Sequence, residues 1–111
     1  MKIKIRIPKT YKLFGSEIKV KWDNFRMNDI GAYGEYDHTY MTIWLSDVDG
    51  VREVDEDKIL DTFYHEKVHS ILAAMREDEL NKNEQFVDIF AKLLRQSIET
   101  EEYEDKNKST K

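Results

Sequence analysis

The spacing of apolar residues changes once along this chain, between Leu45 and Asp55, and that change limits what the chain can fold into. Before it, apolar and β-forming residues come in short runs; after it they recur every three or four positions. Residues 2–7 alternate Lys-Ile-Lys-Ile-Arg-Ile and stop at Pro8, as a half-buried strand does. Tyr11 to Phe14 and Glu17 to Trp22 flank Gly15-Ser16, which predicts a hairpin whose glycine supplies a positive φ. Gly31 and Gly34 punctuate a stretch that reads as irregular and holds Tyr33, Tyr36 and Tyr40. The run Tyr40-Met41-Thr42-Ile43-Trp44-Leu45 consists of β-formers and closes at Ser46-Asp47, giving a further strand.

After the turn-like Asp47-Val48-Asp49-Gly50, Asp55 is placed to cap a helix whose first turn carries Glu56 and Asp57, favourable at the positive end of the helix dipole. Leu60, Tyr64, Val68, Ile71, Leu72 and Met75 then follow at helical spacing, an apolar face for the sheet. A polar break from Arg76 to Asn83 precedes a second helix with Phe86, Val87, Phe90, Leu93, Leu94 and Ile98 on one face. The expected fold is α+β, a small antiparallel β-sheet of three or four strands followed by two helices. Residues 1–100 form a single domain on this reading, and the polar residues 101–111 a disordered tail.

Within the first helix stands His65-Glu66-Lys67-Val68-His69, two of the three histidines in the chain. A helix advances about 100° per residue, so His65 and His69 lie nearly above one another and both imidazoles can reach one metal ion. Glu66 leans to the side of that pair, where it is free of the metal and can act as a general base toward a nucleophilic water. The bland alternative is a polar helix flank with two ordinary histidines.

Two histidines hold zinc poorly, and a catalytic site ordinarily has three protein ligands. A glycine and third histidine farther along the same segment are excluded, because Leu72 and Met75 occupy those places. A carboxylate on the next helix remains. In Asn83-Glu84-Gln85-Phe86-Val87-Asp88, Glu84 begins the second helix as the third ligand, and Asp88, one turn later, can accept an imidazole N–H and fix its tautomer. Asn81-x-x-Glu84 also fits a capping box, with the carboxylate turned back to the helix start. Asp61 reads as a solvated helix residue rather than a support for His65, and His38 as a surface histidine rather than a donor to an oxyanion.

The segments 65–69 and 83–88 together resemble the gluzincin-type zincin metallopeptidases, and the order of strand, motif helix and glutamate helix is similar to short zincin-like proteins of bacteria and their phages. The resemblance covers roughly residues 40–98. It implies a minimal zincin-like core in which His65, His69 and Glu84 ligate one zinc ion per chain, Glu66 is the general base and acid, and Asp88 supports a ligand histidine. It implies further that the strand at 40–45 borders the cleft with a free edge, on which an extended peptide or protein substrate pairs. Two rival readings stay beside it: a metal-binding or regulatory interaction protein without peptidase activity, and a zinc hydrolase of small-molecule amides.

Composition narrows the partners. A net charge of −5 with 37% charged residues argues against nucleic acid, and Lys2, Lys4, Arg6, Lys9 and Lys12 read as the solvated side of a strand. Cysteine is absent, so any metal is held by nitrogen and oxygen. No apolar run approaches the roughly 18 residues of a membrane span. The expected location is cytoplasmic, with no membrane partner.

Overall fold

The computed structural model describes residues 6–104. Within these described residues the fold is α+β: a four-stranded sheet, a separate two-stranded ribbon and four helices. Strands β1 (Thr10–Leu13) and β2 (Ser16–Trp22) form the expected hairpin. Its turn sits one residue earlier than Gly15-Ser16: Phe14 and Gly15 both have positive φ, 51° and 81°, the backbone of a two-residue turn matched to strand twist. The strand expected over residues 2–7 lies outside the described residues except for Arg6 and Ile7, which belong to no regular element.

The stretch expected to be irregular is ordered. Asp23 accepts a hydrogen bond from the Arg26 N–H and starts α1 (Asn24–Ile30), and Gly31 ends it in the left-handed conformation. β3 (Gly34–Asp37) follows and pairs antiparallel with β4 (Thr42–Leu45). Because α1 carries the chain across before β3, β4 returns between β2 and β3, and runs parallel to β2. The sheet, in the order β1-β2-β4-β3, is therefore mixed rather than wholly antiparallel. This also corrects the position of the free edge: the strand at 40–45 is flanked on both sides, and the open edge beside the helices belongs to β3. β5 (Val48–Asp49) and β6 (Arg52–Glu53) form the small ribbon around Gly50.

Helix α2 (Glu56–Met75) starts after Asp55 with Glu56 and Asp57 in its first turn, although the Asp55 side chain makes no capping bond. It lies between two partners. Toward the sheet it buries Phe63 against Ile18, Val20, Ile43 and Leu45. Toward α4 (Glu84–Glu99) it buries Val68 and Leu72 against Val87 and Ala91. The single apolar face expected for the sheet is thus divided, and Met75 is exposed. Arg76, at a φ of 62°, ends α2, and the polar break contains a short helix, α3 (Asp78–Lys82). Arg95 on α4 ties the two long helices together, bonding Asp57 and Asp61 of α2 and Glu99 of its own helix. Asp61 is accordingly engaged by Arg95. Among the described residues no helix is long and apolar enough to cross a membrane.

Contact between β3 and α2 depends on Gly34, where a Cβ would meet Thr62 Cγ2 at 2.5 Å and Leu45 Cδ2 at 3.2 Å. Thr62 cannot turn away without losing the 2.7 Å bond from its Oγ1 to the Lys58 carbonyl. Gly34→Ala is therefore expected to lower stability by about 1–3 kcal/mol, as overpacking does. Adding Thr62→Ser, which removes the clashing methyl and keeps the hydroxyl, should recover most of the loss in a denaturant melt. A Gly34→Ala protein as stable as the parent would contradict this packing.

Candidate metal centre

The two histidines project from the middle of α2, on the side that meets the start of α4. His65 and His69 stack edge to face with ring centroids 5.0 Å apart, the expected result of a four-residue spacing on one helix. Glu84 is the first residue of α4, whose N-cap is Asn83 accepting from the Phe86 N–H. The cap belongs to Asn83 rather than to an Asn81–Glu84 box, so the Glu84 carboxylate is free to face α2. It lies 3.1 Å from His65 Nε2 through Oε1 and 3.4 Å from His69 Nε2 through Oε2. One ligand atom from each of His65, His69 and Glu84 falls within 4.8 Å of the others, a group that could hold a metal ion.

Both imidazoles turn Nε2 inward and Nδ1 outward, and each outward nitrogen faces a side-chain oxygen, within hydrogen-bond distance at His69 alone. Asp88 Oδ1 is 3.6 Å from His65 Nδ1, and Asn81 Oδ1 is 2.6 Å from His69 Nδ1. In this geometry the His65 Nε2–H donates to the Glu84 carboxylate; a metal ion in place of that proton needs the other tautomer, with the proton on Nδ1. Asn81 is a contact that sequence reading assigns elsewhere; its spacing from Glu84 suggests a cap, and only the course of α3 brings it under His69. Asp88 is held in turn by Lys92 one helical turn later, at 3.1 Å. That hydrogen bond, with the nearby charge of Lys92 and His65, keeps the Asp88 carboxyl below the usual aspartate range. An i, i+4 spacing makes the Asp88–Lys92 pair legible from sequence.

Access to the group is one-sided. The histidine side chains are 23% and 17% exposed and Glu84 68%, so Glu84 is the open member of a group otherwise shielded by the protein. Glu66 sits beside the group against β3. Burial raises its carboxyl above the ordinary glutamate range; the two imidazoles and the backbone N–H of Tyr36 draw it back down. A cavity of about 250 Å³ opens next to it, lined by Gly34, Thr62, His65, Glu66, Asp88 and Lys92 among others. His38 lies apart on the surface, hydrogen-bonded through Nδ1 to the Tyr36 hydroxyl at 2.8 Å.

No protein-family model matches the chain, and no curated protein or solved structure matches it either. The donor set itself is informative. Two imidazole nitrogens and a carboxylate, with Asn81 bonded behind His69 and Asp88 near His65, suit a divalent cation. Any divalent cation held by this group is expected to bind about 10- to 100-fold more weakly in Asn81→Ala, with the apo protein still folded, because His69 loses the partner that fixes its tautomer. Competition against a chromogenic chelator measures this. Unchanged affinity would remove Asn81 from the site.

Proposed function

We propose that the chain is a zinc-dependent metallopeptidase of zincin-like type, with His65, His69 and Glu84 holding one zinc ion and Glu66 as general base. The observation that carries this reading is the convergence of three ligand atoms within 4.8 Å, the carboxylate coming from a separate helix, beside a second carboxylate that is not among them. Zinc in such a set supplies Lewis acidity, which acidifies a water and polarises a carbonyl. The remaining work falls to the chain. Glu66, its proton affinity raised by burial, takes the proton of the attacking water and returns it to the departing amine. Asn81 holds the His69 imidazole in register, and Asp88, 3.6 Å from His65 Nδ1, favours a proton on that nitrogen.

A peptide is the substrate that the surroundings suit best. β3 presents an open edge along the site, with the Tyr36 N–H directed at Glu66, and an extended segment can add to that edge as a further strand. The test is cleavage of an unfolded, fluorescently labelled protein by zinc-loaded enzyme. Cleavage that stops with a chelator and returns with zinc is expected. Stoichiometric zinc with no cleavage of any unfolded protein would leave a metal-binding interaction protein instead.

A further inference from the structure

The cavity beside the metal centre meets the open edge of β3 at Gly34. Backbone pairing fixes which residues of that edge are available. The Ser46 N–H donates to the Tyr33 carbonyl at 3.1 Å, so Tyr33, Glu35 and Asp37 turn their backbone groups toward β4. Gly34 and Tyr36 turn theirs outward, and the Tyr36 N–H is taken by Glu66. Gly34 is thus where a substrate strand can pair, two residues, or about 6.8 Å, along the edge from Glu66. A side chain that such a strand carries past Gly34 enters the cavity.

We propose that this cavity is the specificity pocket of the reaction proposed above, on which this inference rests, and that it takes an aspartate or glutamate within two residues of the bond cleaved. Its volume of about 250 Å³ is below the roughly 300–1,000 Å³ of sites that enclose a whole small molecule, and suits one side chain. Charge selects the kind of side chain. Of the carboxylates on the wall, Asp61 accepts from Arg95 at 2.9 Å and Asp88 from Lys92 at 3.1 Å, while Glu66 lies beside the two imidazoles. Lys58 is the lining cation that no carboxylate among the described residues pairs with. Its ammonium rests 4.9 Å over the Tyr33 ring, and Tyr33 is held in turn by its hydroxyl, which donates to Asp49 at 3.0 Å. An aromatic face positions an ammonium without neutralising it, so the charge stays available to a substrate carboxylate. A basic side chain would meet that same ammonium, and carboxylates that already have partners.

The test is fluorescence anisotropy of labelled peptides on the full chain, with glutamate, glutamine or lysine moved in turn through each position of a neutral host sequence. Binding needs no turnover, so the result does not depend on hydrolysis. At one position the glutamate peptide is expected to bind about tenfold more tightly than its glutamine counterpart, and the lysine peptide more weakly than either. Lys58→Glu should reverse that order and keep the circular dichroism of the parent, because Lys58 is exposed on α2. Lys19→Glu makes the same charge change on β2, which β4 separates from β3, and should leave the order as it is. Equal binding of the three peptides by the parent, or binding of none, overturns the proposal. So does a preference that Lys58→Glu leaves intact, or one that Lys19→Glu also reverses. The peptidase reading fails separately: acidic preference without cleavage keeps the pocket and removes the hydrolysis, and cleavage without preference does the opposite.

Discussion

If the chain is the metallopeptidase proposed above, replacing Glu66 by glutamine lowers peptide hydrolysis by about 10²- to 10⁴-fold and leaves zinc content unchanged. The substitution keeps the size of the side chain and its place against β3, so no cavity forms and the ligand geometry of His65, His69 and Glu84 is retained. What is lost is the ability to take a proton. Glu66 is suited to that task because burial against β3 holds its carboxyl above the ordinary range, making it a better base than an exposed glutamate. Turnover of a quenched peptide, measured beside metal analysis of the same sample, separates base from ligand. A Glu66→Gln protein as active as the parent would take the general base away from Glu66. One that had lost its zinc would make Glu66 a ligand.

Replacing Glu84 by alanine should have the opposite profile, with metal binding lost and the fold kept. A zinc site contributes on the order of 10 kcal/mol of binding free energy. Removing one ligand of three is then expected to cost about 3–4 kcal/mol, or roughly 150- to 700-fold in affinity. Glu84 is 68% exposed at the start of α4, so the apo variant should match the apo parent in stability to within about 0.5 kcal/mol. Zinc at 100 times its dissociation constant should stabilise the parent by about 2.7 kcal/mol, because the ion joins α2 to α4, and this gain should vanish in the variant. His65→Ala should lose both zinc and hydrolysis. Equal zinc-induced stabilisation of parent and Glu84→Ala would mean that the third ligand lies elsewhere.

Much of this arrangement is legible in the sequence because it is local. The His65–His69 spacing fixes two imidazoles on one side of α2 by helix geometry alone, and the position of Glu84 at the first turn of α4 follows from Asn83 and the apolar repeat behind it. What escaped depends on how elements are brought together. β4 lies between β2 and β3 because of α1, a seven-residue helix whose markers, Asp23 and Gly31, bracket a segment with little apolar period. Asn81 meets His69 only because α3 bends the polar break back toward α2. The division of the α2 face is likewise a tertiary effect: Phe63 goes to the sheet, while Val68 and Leu72 go to α4. On α4 the apolar positions share one broad arc, and sequence period cannot tell that Val87 is buried while Leu93 faces outward.

The measurement that bears most directly on the site is zinc titration of the chelator-stripped parent at neutral pH against a chromogenic competitor. Saturable uptake of one ion per chain, accompanied by a rise in thermal stability, is the predicted result. No saturable uptake would contradict the account and return His65 and His69 to the polar flank of an ordinary helix.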